Sequence, residues 1–220
     1  MFAAIGVWEN HRVQGRRNPF VAREGIPFLL VTALLIWATW RYLPHLWLPL
    51  PGAAFVVVFL VFRDPVRQIP SLALGVVSPV DGTIVSIEEP GGGELLGLAH
   101  RIVIRVDAMG TYTARSPIEG KVKSLASEAA ADELGFPTSA LWIQTDEGDN
   151  VVMGFNGFPF MVPPRALVRY GERLGQGQRC AYLRLARYVS VYLPEDCKIA
   201  AQPGQTVVAG SDLLGSVPHH

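Results

Sequence analysis

Ser78-Pro-Val-Asp-Gly-Thr-Ile-Val-Ser-Ile87 returns later in the chain as Ser116-Pro-Ile-Glu-Gly-Lys-Val-Lys-Ser-Leu125. In each copy a Pro-x-x-Gly turn feeds a segment where apolar and polar side chains alternate, the period of a strand with one buried face. A second pair, Gly171-Glu-Arg-Leu-Gly-Gln-Gly177 and Gly204-Gln-Thr-Val-Val-Ala-Gly210, places glycine at both ends of a short unit. Glycine adopts backbone angles closed to other residues, so these units read as tight turns around short strands. From Asp64 onward, short Val/Ile/Leu runs alternate with Gly, Pro, Asp and Ser. The fold class is therefore mainly β with little helix. One helix is predicted around Ser127 to Leu134, where Glu-Ala-Ala-Ala-Asp-Glu-Leu gathers strong helix formers.

Upstream of this domain the pattern changes. Gly25 to Trp40 and Gly52 to Phe62 carry no charged residue. The first run alone rises roughly 24 Å as a helix, short of a hydrocarbon core of about 30 Å, so the two runs read together as one transmembrane helical hairpin. Its connector holds Pro44, Pro49 and Pro51 with Tyr42 and Trp47, residues that break helices and suit the headgroup level. Arg12, Arg16, Arg17 and Arg23 precede the first run, Arg63 and Arg67 follow the second, and Arg41 stands alone between them. That asymmetry puts both ends, and the β-rich domain, on the cytoplasmic side of the inner membrane. The predicted organisation is a cytoplasmic segment at 1–24, the membrane hairpin at 25–63 and the β-rich domain at 64–220. A helical pair buried in a soluble protein is the competing reading. A cleaved signal peptide fits poorly, since the apolar run begins late and no small-residue cleavage pattern follows it.

Composition narrows the chemistry. The chain of 220 residues carries 19 basic and 19 acidic side chains, so it has no charge excess for a nucleic-acid surface. With 50% hydrophobic and 17% charged residues it has ample material for a core. Cys180 and Cys197 are spaced for neither a disulfide framework nor a zinc site, and read as reduced, cytosol-facing packing residues. His11, His45, His100 and the terminal His219 and His220 form no ligand cluster, so no metal site is expected. Nucleophile-elbow, phosphate-loop and His-Glu-x-x-His signatures do not occur. Turn-strand repeats of the kind seen here are also found in the barrel-sandwich folds of biotinyl and lipoyl carriers, but no lysine stands at a hairpin tip to bear a swinging cofactor.

Phe62-Arg-Asp-Pro65, Ile69-Pro70, Val77-Ser-Pro-Val-Asp-Gly-Thr-Ile-Val85, Arg115-Ser-Pro-Ile-Glu-Gly-Lys-Val122 and Val191-Tyr-Leu-Pro194 follow one another in a definite order after the apolar hairpin. In this the chain resembles the short, membrane-anchored phosphatidylserine decarboxylases, from about Arg23 to Gly210. The turn-strand repeats make the β domain barrel-sandwich-like, and the resemblance implies conversion of phosphatidylserine to phosphatidylethanolamine and CO2, with a pyruvoyl group made from the chain itself. In that family a serine hydroxyl attacks the preceding glycine's carbonyl, the ester is eliminated, and the new N-terminus becomes a ketone that serves as electron sink.

Carried over residue by residue, the resemblance puts Asp81 at the family's aspartate position. The segment that the family writes Asp-Val-His-Val-Asn-Arg-Ala-Pro stands here as Gly110-Thr-Tyr-Thr-Ala-Arg-Ser-Pro117, with Tyr112 in place of the histidine. Arg-Phe-Gly-Ser-Arg-Val-Asp-Val-Tyr-Leu-Pro aligns with Arg184-Leu-Ala-Arg-Tyr-Val-Ser-Val-Tyr-Leu-Pro194, so Ala186 and Arg187 replace the Gly-Ser cleavage pair. A guanidinium has no hydroxyl and forms no ester, and tyrosine, with a reference pKa of about 10, is a poor base at neutral pH. Ser211, after Gly210, and Ser216, after Gly215, are the alternative cleavage serines, set in what reads as a flexible Gly/Ser ending.

The reading that follows is a degenerate, non-self-cleaving homologue in phospholipid metabolism, with no cofactor-binding residue and no cofactor of its own. Its role would be lipid binding or scaffolding, with phosphatidylserine or phosphatidylethanolamine as ligand. A homodimer or association with a phospholipid-synthesis enzyme is compatible with it. The alternatives are an active pyruvoyl-dependent enzyme using Ser216 or Ser211, and a membrane-tethered barrel-sandwich adaptor.

Overall fold

The computed structural model describes residues 20–70, 72, 74–88, 98–125, 139–157 and 163–218. The helix expected around Ser127 to Leu134 lies outside them. Two helices come first, α1 (Ile26–Tyr42) and α2 (Pro49–Phe62), each with proline in its first turn, where a missing N–H costs nothing. With the single turns that lead into them they span Arg23–Tyr42 and His45–Phe62, 20 and 18 residues, long and apolar enough to cross a membrane. The first reaches roughly 30 Å. This exceeds the expectation from its uncharged run because the span takes in Arg23 and Glu24 at its start and Arg41 and Tyr42 at its end. Leu30, Leu34, Trp40, Leu46 and Leu50 are more than half exposed. No protein core covers them, which argues against the buried helical pair of a soluble protein.

The helices meet at their open ends. Phe28 stacks on Phe62 with ring centroids 5.5 Å apart. The Ala22 N–H donates to the Phe62 carbonyl (2.8 Å) and the Asp64 N–H to the Phe20 carbonyl (2.7 Å), framing an antiparallel bridge between Val21 and Arg63. Asp64, fully buried, then pins this base to the β domain. Its Oδ1 accepts from Arg115 (2.9 Å), its Oδ2 meets Arg179 Nε (2.5 Å) and the Thr113 hydroxyl, and its carbonyl accepts from Arg179 Nη2 (3.1 Å).

The remainder is antiparallel sheet. The strands are β1 (Gly75–Val77), β2 (Gly82–Glu88), β3 (Leu98–Val106), β4 (Thr113–Arg115), β5 (Gly120–Leu125), β6 (Ser139–Gln144), β7 (Asn150–Asn156), β8 (Arg165–Ala166), β9 (Arg173–Leu174), β10 (Arg179–Tyr182), β11 (Tyr188–Pro194), β12 (Lys198–Ile199), β13 (Thr206–Val207) and β14 (Leu213–Ser216). Eight of them form one sheet in the order β13-β2-β3-β11-β7-β6-β5-β9, and two three-stranded sheets, β1-β14-β12 and β4-β10-β8, accompany it. Ile84, Ile102, Ile104, Ile143, Met153, Val191 and Leu193 fill the core between them.

The sequence repeats are structural repeats. Ser78 Oγ donates to the Val80 carbonyl and Ser116 Oγ to the Ile118 carbonyl, both at 2.7 Å. Gly210 N–H reaches the Ser78 carbonyl (2.7 Å) as Gly177 N–H reaches that of Ser116 (2.8 Å). Gly171, Gly177, Gly204 and Gly210 have φ of +77°, +68°, +84° and +72°, the left-handed region that glycine enters without penalty. β13 pairs with β2 at Val207 and Gly82, and β9 with β5 at Leu174 and Gly120, so each glycine-bounded unit lies on the strand that its Pro-x-x-Gly turn begins.

Two features depart from or extend the sequence reading. The Gly/Ser ending is no flexible tail: Leu214 and Gly215 are buried in β14, the middle strand of its sheet, paired with β1 and β12, and Val217 N–H donates to the Leu74 carbonyl. Leu214 fills the core from a strand too short to announce itself by alternation. Cys180 and Cys197 are buried and unpaired, and burial pushes their thiols up to about 12 and about 11.

A Cβ on Gly82 would sit 2.1 Å from the Arg105 carbonyl oxygen, and one on Gly120 would sit 2.3 Å from that of Gln144. Backbone must move to admit either, so Gly82→Ala and Gly120→Ala should each destabilise the protein by about 1–3 kcal/mol. Thermal or denaturant unfolding of the purified chain measures this, and equality with the parent would mean that the turn is not held at the register described.

Candidate functional site

Two loops and the end of α2 enclose a cleft of about 240 Å³ lined by Val61, Val106, Asp107, Ala108, Gly110, Thr111, Tyr112, Leu183, Leu185, Ala186 and Arg187. One loop leaves β3 and enters β4. The other connects β10 to β11. They are laced together by main-chain bonds: Leu183 N–H to the Tyr112 carbonyl (2.9 Å), Val106 N–H to the Arg187 carbonyl (2.9 Å) and Ala186 N–H back to the Leu183 carbonyl (2.9 Å). Arg184 and Leu185 have φ of +46° and +69°, a left-handed pair without glycine at the corner of the second loop. Such residues are held there only by surroundings that over-determine them.

Three of the sequence-predicted residues, Tyr112, Ala186 and Arg187, line this one cleft. Ala186 is buried and Arg187 is exposed. Asp81 stands one layer behind, fully engaged: Oδ2 accepts from Arg67 Nη2 (2.7 Å) and from the Thr111 N–H (3.0 Å), and Oδ1 from the Ala209 N–H (2.7 Å). No hydrogen bond joins Asp81 to Tyr112. The carboxylate ties the 67, 111 and 209 segments together directly beneath the cleft floor.

Tyr112 turns the other way, toward the helix base. Its ring packs on Phe62 (centroids 4.6 Å) and Tyr182 (5.7 Å), and its hydroxyl donates to Glu24 Oε2 (2.9 Å). Arg184 Nη2 donates to Glu24 Oε1 (2.8 Å), and Arg165 approaches the same oxygen at 3.6 Å. Burial, reinforced by the hydrogen bond to the Glu24 carboxylate, raises the Tyr112 phenol well above its ordinary value. The bond to Glu24 likewise raises Arg184. Donating to Glu24 and packed on Phe62, this phenol struts the β3–β4 loop against the helix base.

The alternative serines lie elsewhere. Ser211 borders an open depression with Arg67 and Ile69. Ser216 is paired across β14 with Gly75 and Lys198. Glu24, Arg67, Arg165 and Arg184 complete the site's charge network, and sequence reasoning gave none of them a role in the site, reading Arg67 only as a charge flanking the apolar hairpin. Arg184 alone carried a signal, as the arginine that opens the segment resembling a cleavage loop. Among the described residues no group of three His, Cys, Asp or Glu side chains is placed to hold a metal.

The sequence model for phosphatidylserine decarboxylase matches residues 53–215. The phosphatidylserine decarboxylase proenzyme of Nitrosomonas eutropha is 32% identical over 213 residues, covering 90% of this chain and 95% of its own. That of Burkholderia pseudomallei is 34% identical over 221 residues, covering 91% and 97%. Among solved structures, glucose permease IIA from Mycoplasma capricolum aligns over 68% of this chain and 98% of its own at 16% identity and a TM-score of 0.45, below what a shared fold requires.

The raised Tyr112 phenol sets a sign for alkaline stability. The folded chain keeps this proton above pH 10, where the unfolded tyrosine loses it, so the contribution is complete below about pH 10 and is lost as pH rises toward the folded value. Tyr112→Phe should lower the melting temperature at neutral pH, by the loss of a charge-assisted hydrogen bond of about 1.5–3 kcal/mol, and should flatten the alkaline fall. A variant with the parent's melting curve at both pH 8 and pH 11 would remove Tyr112 from the strut.

Proposed function

The chain belongs to the phosphatidylserine decarboxylase family, and from that membership we propose that it is a non-self-cleaving homologue that keeps the family's lipid-facing cleft without its cofactor. The family's reaction takes phosphatidylserine to phosphatidylethanolamine and CO2 with a pyruvoyl group derived from serine. The observation that carries the proposal is Arg187, which lines the cleft at the position aligned with that serine, beside Ala186 in place of glycine. Among the described residues no serine lines the cleft, so a pyruvoyl group does not fit the residues placed there. Asp81 supports the same reading, since all its hydrogen bonds serve to join segments, and so does Tyr112, whose proton is held by Glu24.

In this reading residues 25–63 form a hairpin in the inner membrane, with 1–24 and the barrel-sandwich domain 64–220 in the cytoplasm. The protein acts by binding phospholipid, or as a scaffold beside an enzyme of phospholipid synthesis or a second copy of itself. One observation favours a second reading, an active enzyme. Gly210-Ser211 follows Ala209, whose amide binds Asp81, so a Gly-Ser pair does stand near the family's aspartate. Against it, cleavage there would detach β14 from the chain while it is the middle strand of its sheet.

Intact mass distinguishes these readings. The purified chain should run as one species near 24.0 kDa and take up no carbonyl-reactive hydrazide. Two fragments, the smaller blocked by a ketone, would restore the active enzyme, and Ser211→Ala would then abolish the split. Ala186→Gly combined with Arg187→Ser should still leave the chain whole, because Tyr112 supplies no base. Efficient splitting of that double variant would overturn the role given to Tyr112.

A further inference from the structure

Glu24 belongs to the single turn Arg23–Gly25 that opens the first of the two spans, yet its side-chain partners all come from the β domain. Tyr112 reaches it from the loop between β3 and β4, Arg184 from the loop between β10 and β11, and Arg165 from β8. Three segments far apart in sequence thus converge on one carboxylate at the foot of a helix that leaves the domain. Its side chain is 19% exposed, so water screens these bonds less than it would on an open surface.

What the carboxylate restrains is the corner at Arg184 and Leu185. Both have left-handed φ without being glycine, a conformation that ordinary side chains leave when nothing holds them in it. Leu183 and Ala186, both buried, bracket the corner. Between them Leu185 is 58% exposed, so packing does not hold the bend, and among the described residues neither the Arg184 nor the Leu185 N–H makes a main-chain bond. The fastening is the Arg184 side chain, whose Nη2 donates to Glu24 Oε1 at 2.8 Å and whose Nε lies 3.5 Å from Oε2. A bend that relaxes unless gripped is here gripped from a helix long and apolar enough to cross a membrane.

We infer that Glu24 latches the β10–β11 loop to the base of the helical pair, so that the way the helices sit in the bilayer sets whether the cleft is held narrow or opens. With the grip made, Leu183, Leu185, Ala186 and Arg187 form one wall of the cleft and Val61 of α2 contributes to its lining. A tilt of the first span that carries Glu24 away frees positions 184 and 185 to return to right-handed or extended angles, and the wall moves with them. The latch governs access to the cleft whatever occupies it, and it rests on the reading of residues 25–63 as a membrane hairpin.

Hydrogen exchange of the full chain, read by mass spectrometry in nanodiscs of phosphatidylcholine with short or with long acyl chains, tests the inference. A span that does not match the hydrocarbon thickness tilts, so in the parent the amides of 183–187 should exchange at rates differing by about fivefold between the two bilayers. Glu24→Gln should speed exchange there about tenfold, the scale of one charge-assisted hydrogen bond, and erase the dependence on the bilayer, while β7 keeps the parent's rates. Arg184→Gln should do the same from the other end of the bond, with partial recovery in Arg184→Lys, and it decides the matter if Glu24→Gln does not fold. Arg173→Gln, which removes the ion pairs with Glu119 and Asp146, should leave 183–187 unchanged. Parental exchange at 183–187 in Arg184→Gln, or a parent loop indifferent to bilayer thickness, would overturn the latch and leave the hairpin standing. A chain that does not enter the nanodiscs would refute the hairpin itself, and the latch with it.

Discussion

The architecture depends on one buried carboxylate. Asp64 is fully enclosed, and a lone charge there would be untenable. Its stability comes from Arg115 and Arg179, with the Thr113 hydroxyl closing the remaining lone pair. Those partners belong to β4, on which the first loop of the cleft ends, and β10, from which the second leaves. The same residue sits two positions beyond α2 and donates its N–H to Phe20 at the start of the helical pair. Helix base, β4 and β10 therefore share a single electrostatic node, and the cleft between them inherits its shape from it. Burial lowers the Arg115 pKa, opposed by the neighbouring carboxylate, so neither partner is comfortable without the other.

The internal repeat shows how one backbone unit serves two chemistries. Asp81 and Glu119 occupy the same place in their copies. Asp81 is drawn inward by two backbone amides and Arg67, whereas Glu119 lies on the surface and pairs with the exposed Arg173. The unit dictates where an acidic side chain emerges, and the surrounding donors decide whether it becomes an anchor or a solvated face. A surface pair of the second kind contributes little, because solvent screens it. The first kind organises three segments of chain.

Much of this was legible in the residues. The Pro-x-x-Gly turns and glycine-bounded units declared themselves, because glycine at left-handed φ leaves a mark in sequence that no packing choice hides. The apolar runs near the start were equally plain, and only their helical ends extended further. Bringing Tyr112, Ala186 and Arg187 to one cleft was implied by family resemblance and not by any local pattern. Glu24 was invisible: an isolated acid beside an apolar run gives no hint that it will receive Tyr112 and Arg184 from distant loops. Leu213–Ser216 was misread for a related reason. Its place in the middle of a sheet is set by partners at Gly75 and Lys198, and non-local pairing of that sort leaves no periodicity in a four-residue segment.

The corner at Arg184 and Leu185 has a consequence of its own. In a self-cleaving chain, tension in the backbone beside the scissile bond is spent when that bond breaks. If the chain stays whole, as proposed, the bend persists, fastened by Arg184 to Glu24 and by Leu183 to the Tyr112 carbonyl, beside Ala186 and Arg187. Residues in such conformations cost about 1–3 kcal/mol each. On that reading the fold carries the cost of this corner throughout its lifetime.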